Sequence, residues 1–243
     1  MTYFNPQTPI IVTTNDTSLR QTSRNSREAL LIGAGPLFAK YGYDGVTTRM
    51  ISEAAGVQLS AVHYHFSTKE NLYLETFRYV HDKEKKVDFF EILAENPALG
   101  ETAEGLAEVI RTTVLRYFRN IFAPDRPDWE VRLLVREIVN PSAALPQLAE
   151  TFMQANVVNS EKFCRLVRPD ISKTDAAVWA DTLFSHAIFY ALAKKHIEMV
   201  RGQGWLSQDF YYKAARMIAR FMILELELPL PHDLKHGYGD MIV

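Results

Sequence analysis

The stretch Thr47–Phe66, TTRMISEAAGVQLSAVHYHF, gathers side chains able to hold a polyanion and read the edges of its bases. Thr47, Thr48 and Arg49 stand together at the start of a helical pattern. Hydroxyls, free amides and a helix dipole there favour a phosphate. Gln58, Leu59, Ser60 and Ala61 open a second short helix. A glutamine can bond adenine through two atoms, and Leu59 or Ala61 can touch a thymine methyl. His63 and Tyr64 can donate to phosphates or bases, and Lys69 offers a phosphate clamp at the start of the next helix. In such a set, phosphate contacts fix affinity and register while base contacts carry specificity.

These residues need a scaffold, and the local pattern supplies one. Thr47 or Thr48 can cap a helix running to Ala55, which Gly56 breaks. A second helix follows from about Leu59 to Phe66. Ile51, Ala54, Ala55, Val57 and Val62 are small or apolar where two crossing helices pack, as in a helix-turn-helix. Its second helix would lie in a major groove while the first crosses the backbone. Phe66 reads as core. Ser67-Thr68-Lys69-Glu70 has the form of a capping box, with Ser67 as the cap, opening a helix through Leu72, Phe77 and Val80 towards Phe90. Upstream, Leu30, Ala34, Leu37, Phe38 and Tyr41 recur at helical spacing. Pro36 is expected to kink that helix, and Gly33 and Gly35 to weaken it, with no role visible for either glycine. Residues 1–23 are rich in Thr, Asn, Pro and Ser without a helical period and read as a flexible arm.

Beyond Pro97 the helices lengthen. Leu106, Val109, Ile110, Thr113, Val114, Tyr117, Phe118 and Ile121 form one apolar stripe, ended by Pro124 and Pro127. Val131, Leu134, Val135 and Ile138 form the next, stopped at Asn140-Pro141. A further helix covers about 145–167. Residues 174–197 are apolar nearly all round, and 207–227 carry two neighbouring stripes. With no strand pattern and no repeat, the fold class is all-α. The last two helices are too apolar for one chain to cover easily. Pairing with the same helices of a second copy would make a four-helix bundle, and a monomeric bundle core is the simpler alternative.

The 243 residues carry a net charge of −2 with 47% hydrophobic and 23% charged residues, an ordinary globular balance. Residues 20–86 hold ten Lys/Arg against seven Asp/Glu, and the remainder seventeen against twenty-two. A mildly basic head on an acidic body suits DNA. No secretory signal and no run of eighteen apolar residues is read, so no membrane span is expected, and a cytoplasmic setting is. The single cysteine, Cys164, has no internal disulfide partner. Arg165 and Arg168 lie near it, but an inert buried thiol is the expectation. His63 and His65 are two apart and face different ways on a helix, and His186 and His196 sit in an apolar helix, so neither pair reads as metal ligands. No cofactor is expected.

Residues 26–80 resemble the DNA-binding domain of the TetR family. The resemblance rests on LFAKYGYDGVTTRMISEAAGV, a short helix ending YHF, and STKENLYLETF, in that order and spacing. The family's usual recognition text is closer to SKGTLYHHF. Here Leu59 replaces the common Lys and His63 the common Tyr, so phosphate contacts do not transfer directly at those positions, and Tyr64 takes the Tyr-like place. The helix text also resembles the CecR-like branch, as does Val135–Ser142 (VREIVNPS) with the two apolar helices that follow. The resemblance implies a DNA head at 24–80, a ligand-binding and dimerisation domain at 81–230, a tail at 231–243, and a dimer on operator DNA. It also implies repression relieved by a small-molecule effector of unknown identity bound among the C-terminal helices.

The side chains offered to such an effector are Phe118, Phe122, Trp129, Phe152, Trp179 and Phe184, with Arg136 and Glu137 beside an apolar stripe. Each also reads as plain core or a structural ion pair. Three rivals stand beside the repressor: an activator or ligand-independent regulator, a helical enzyme, and a protein-interaction module. No phosphate loop, nucleophile elbow or metal-ligand set speaks for the enzyme.

Overall fold

A computed structural model describes residues 15–83 and 87–235. Twelve α-helices follow one another among them. The head comprises α1 (Asn15–Tyr41), α2 (Thr48–Ala55), α3 (Leu59–Phe66) and α4 (Lys69–Lys83). The body comprises α5 (Phe89–Glu95), α6 (Ala103–Ile121), α7 (Asp128–Val139), α8 (Leu145–Leu148), α9 (Gln154–Val167), α10 (Lys173–Arg201), α11 (Gln208–Glu225) and α12 (His232–Lys235). A 3-10 turn precedes α6, and a π-helical stretch (Ala149–Met153) joins α8 to α9. The fold is all-α.

The chain is helical from Asn15, the first described residue, which corrects the expected arm over 15–23, while residues 1–14 lie outside the described residues. Neither glycine nor proline interrupts 15–32. Extending a helix already nucleated by a packed segment is far easier than starting one. Leu30, Leu31, Ala34 and Phe38 are that packed segment, each at most 2% exposed. Pro36 lies on the solvent side with Ile32, so the carbonyl that loses its donor faces water and α1 continues to Tyr41. The two glycines gain a role. A Cβ on Gly33 would lie 3.0 Å from the backbone nitrogen of Ala55, and one on Gly35 would lie 2.2 Å from the ring of Trp129. Bare backbone lets α2 and α7 close onto α1.

Thr47 caps α2, its hydroxyl accepting from the amide of Met50 at 3.2 Å. Gly56, at φ +65°, closes that helix in the left-handed region, which only glycine enters without strain. The cap of α4 shifts by one residue from expectation. Ser67 has φ +63° and ends α3, its amide donating to the His63 carbonyl. It therefore cannot take the extended conformation of an N-cap. Thr68 takes that place and accepts from the amide of Asn71 at 3.1 Å. Nor does one helix run to Phe90. Asp88 is extended and caps α5 through the amides of Phe90 and Glu91.

Two apolar cores result. The body core joins α5, α6, α9, α10 and α11. Phe89 stacks on Phe163 at 4.6 Å, and the Trp179 indole donates to the Met222 carbonyl at 2.9 Å. The expected tail is docked in its first part. Leu234 is buried, Arg111 Nε donates to Asp233 at 3.0 Å, and Arg216 and Arg220 donate to the Asp233 and Leu234 carbonyls. Residues 236–243 lie outside the described residues. The head core takes in Leu133, Ala144 and Leu148 from beyond residue 80. Residues 24–80 therefore do not close it alone.

The packing of the body makes alkaline stability a direct test of it. Burial pushes the Cys164 thiol up to about 11, and burial with the nearby Glu198 charge pushes Tyr211 up to about 12. In the unfolded chain these groups ionise near 9.0 and 10.0. Above those values the unfolded state loses protons that the folded state retains, so stability present below pH 9 falls as pH rises. Together the two groups are expected to remove about 2–3 kcal/mol between pH 8 and 10.5. Urea unfolding at the two pH values measures this, and equal midpoints would contradict the burial.

Candidate nucleic-acid interface and cavity

The α2–α3 pair has an inside and an outside set by sequence alternation. Ile51, Val62 and Phe66 are at most 4% exposed and fix the crossing of the two helices. Gln58, Leu59, Ser60, His63 and Tyr64 face outward, Leu59 at 43% and Tyr64 at 78% exposed. Two large apolar or amphipathic side chains held open to solvent on a short helix are what a base-reading surface needs. Ala61 differs from expectation: it is half-buried against the head core, which limits any reach to a thymine methyl. His63 Nδ1 lies 3.3 Å from the Ser67 carbonyl. His65 turns inward to Ser26 Oγ at 2.7 Å, and burial, then Arg27, lowers its pKa. Arg27 lies over the Phe66 ring and bonds Glu75, tying α1 to α3 and α4.

Thr47, Thr48 and Arg49 cluster at the α2 N-terminus, as the sequence suggested. Arg49 pairs with Glu53 at 2.9 Å, both side chains largely exposed. Such a pair contributes little and opens readily for a phosphate. Lys69 is placed otherwise than expected. Its ammonium donates to the Tyr43 carbonyl at 3.0 Å and the Val46 carbonyl at 3.1 Å, and lies 4.1 Å from the centre of the Tyr43 ring.

A cavity of about 270 Å3 opens between α4, α6, α7, α9 and α10. Phe77, Val80 and His81 line it from α4, Tyr117 and Ile121 from α6, and Val131, Leu134, Val135 and Ile138 from α7. Of the aromatics offered by the sequence, Phe152 and Phe184 are in its wall. The others are not. Phe118 is 2% exposed in the body core, Phe122 stacks on Tyr211 at 3.8 Å, and Trp179 is bonded to Met222. Arg136 donates to the Lys40 carbonyl at 3.1 Å, and Glu137 points to the head. The polar wall residues His81, Arg126, Asn156 and Asp181 escaped the sequence reading. Only Arg126 left a trace there, four residues before Glu130, and the two side chains lie 3.3 Å apart and almost fully buried. Cys164 is fully buried, with its thiol pKa raised, in keeping with an inert role.

Residues 30–76 match the family described as bacterial regulatory proteins, tetR family. The match takes in the whole of α2 and α3. The chain is also 37% identical over 110 residues to the HTH-type transcriptional repressor AcnR of Corynebacterium glutamicum, covering 45% of this chain and 48% of that one. It is 32% identical over 103 residues to the HTH-type transcriptional repressor Rv1474c of Mycobacterium tuberculosis, covering 42% and 44%. The chain thus spans about half the length of the curated relatives it matches. Among solved structures, NalD of Pseudomonas aeruginosa, the secondary repressor of a multidrug efflux pump, superposes with a TM-score of 0.58 at 16% identity over 84% of this chain and 96% of that one. AibR, in complex with isovaleryl coenzyme A and operator DNA, gives 0.56 at 16% identity over 82% and 96%. At these identities the likeness is one of fold, and it extends through the body.

The head is joined to the body by α7. Trp129 lies over Gly35, Leu133 is fully buried in the head core, and Arg136 reaches the end of α1. Glu137, 1% exposed, accepts from the Tyr73 hydroxyl at 2.5 Å and from the amide and hydroxyl of Ser142, each at 2.9 Å. Burial, then Glu137, holds the Tyr73 phenol well above its ordinary pKa. Other residues of the same helix, Leu134, Val135 and Ile138, line the cavity.

Proposed function

We propose that the chain is a DNA-binding transcription repressor, a homodimer on a pseudo-palindromic operator, released when a small molecule enters the body cavity. The observation that carries the reading is α3: Gln58, Leu59, Ser60, His63 and Tyr64 stand outward while Val62 and Phe66 anchor the helix from behind. Thr47, Thr48 and Arg49 supply phosphate contacts at the α2 N-terminus. The relatives named as repressors support the sign of regulation, and none of the roles assigned here is catalytic. The setting is the cytoplasm, where the DNA is.

The dimer reading rests on α10 and α11. Long and apolar enough to cross a membrane by length and composition alone, α10 has only 28% of its most apolar stretch buried within one chain. Phe189, Leu192 and Met199 on α10, and Met217, Phe221 and Leu224 on α11, are each 46–84% exposed. A second copy would cover them in a four-helix arrangement. The effector is of unknown identity. Phe152 and Phe184 are its proposed aromatic contacts, and the bound complex of AibR is a precedent for both kinds of partner.

Binding of the purified chain to fragments upstream of its own gene, followed by fluorescence anisotropy, tests the first step. Affinity is expected to fall steeply with salt, with a slope reflecting several phosphates. In a selection from random sequence, Gln58→Ala is expected to relax preference at one position of each half-site by about 1–3 kcal/mol. Absence of any bound sequence at low salt would sink the reading.

A further inference from the structure

The Lys69 ammonium sits where a phosphate contact would be sought, yet two of its three donors are directed inward. They meet the carbonyls of Tyr43 and Val46, the two ends of the turn that leads from α1 into α2. The same nitrogen rests on the face of the Tyr43 ring. That ring is in turn packed on Phe38 at 6.4 Å and Tyr73 at 5.2 Å, against the head core. Val46 is 1% exposed and directly precedes Thr47, the residue whose hydroxyl caps α2.

We propose that Lys69 is a positioning residue: it clamps the 43–46 turn and thereby sets the α2 N-terminus, rather than holding a DNA phosphate itself. The turn needs such a clamp. Its own backbone bond, from the Val46 amide to the Tyr43 carbonyl, is long at 3.4 Å, and a charged donor gives the Tyr43 and Val46 carbonyls stronger hydrogen bonds. An ammonium supplies several donors from one point and gains further from the ring face. The phosphate contacts then belong to Thr47, Thr48 and Arg49, whose approach to DNA depends on where the turn ends. This assignment rests on the proposed DNA-binding function for its last step, while the clamp itself is a property of the free protein.

The variant Lys69→Met keeps the stem and removes the charge. Binding to a selected operator is expected to weaken roughly 10-fold at every salt concentration, with the slope of log affinity against log salt unchanged. Hydrogen exchange at the amides of Val46–Met50 in the DNA-free variant is expected to speed up, and Arg49→Met, which removes one phosphate contact from each half of the proposed dimer, is expected to lower the salt slope by about 1.8 instead. A slope lowered by Lys69→Met with no change in loop exchange would make Lys69 a phosphate ligand and overturn the proposal. Unchanged affinity would reduce it to a stabilising contact and overturn it too. Should the variant not fold, the side-chain ammonium signal of Lys69 in the wild-type protein decides. Slow proton exchange supports the clamp, and exchange as fast as that of the exposed Lys40 refutes it. A wild-type chain that binds no DNA would fail the functional reading while leaving these free-protein measurements to judge the clamp.

Discussion

Glu137→Leu is expected to lower the unfolding free energy by about 3–5 kcal/mol, measured by urea denaturation at pH 7. The side chain is 1% exposed and accepts three hydrogen bonds, one from Tyr73 and two from Ser142. Removing it leaves those donors facing an apolar group, and each buried unsatisfied donor costs about 1–3 kcal/mol. Leucine fills most of the volume, so the loss reports the polar bonds and not a void. Tyr73→Phe should cost less, about 1.5–3 kcal/mol, because the two Ser142 bonds remain. The loss should also be felt in the head. Tyr73 packs edge-on to Phe38 at 4.8 Å and to Phe77 at 5.0 Å, so its hydroxyl bond anchors an aromatic cluster of α1 and α4 to α7. A Glu137→Leu protein within about 0.5 kcal/mol of wild type would mean that water, and not Tyr73 and Ser142, satisfies the carboxylate.

What the sequence revealed of this molecule follows from how far apart the partners lie. The α2–α3 unit was readable because Thr47 through Phe66 carry their own caps, turn and buried face within twenty residues. The misplaced cap of α4 shows the limit even there. Ser67 and Thr68 are both chemically able to cap, and only the left-handed conformation of Ser67 separates them. The placement of the Lys69 ammonium was not readable because its carbonyl partners lie 23 and 26 residues upstream, across a turn. Arg136 and Glu137 were read together beside a ligand stripe, yet they leave α7 towards Lys40 and Tyr73. Aromatic type did not separate cavity from core: Phe152 and Phe184 line the space, while Phe118 and Trp179, equally apolar, fill the core. The helical state of residues 15–23 was missed because helix extension leaves no apolar period to read.

Gly35→Ala offers a prediction whose sign is the informative part. In an open helical site this change stabilises by about 0.5–1 kcal/mol, since alanine loses less backbone freedom on folding. Here the new methyl would lie 2.2 Å from the Trp129 ring, far inside contact distance, and the ring must move. Overpacking of this kind costs about 1–3 kcal/mol and occasionally more, so a net loss of about 2 kcal/mol is expected by urea denaturation. Trp129→Leu alone should also destabilise, by leaving a gap beside Gly35. Combined with Gly35→Ala it should restore part of the loss, because the methyl then occupies vacated space and the two changes are not additive. A non-additivity of about 1 kcal/mol or more would establish the α1–α7 contact in solution. That contact matters for the proposed release of DNA, since α7 has Leu133 in the head core and Leu134, Val135 and Ile138 on the cavity. An effector that displaces α7 must work against its attachment to α1, and by reciprocity DNA bound at the head must resist that displacement. If the two substitutions prove additive, α7 is not held to α1 at Gly35. Coupling between cavity and head would then fall to α4, which lines the cavity through Phe77, Val80 and His81 and begins at Lys69 beside the 43–46 turn.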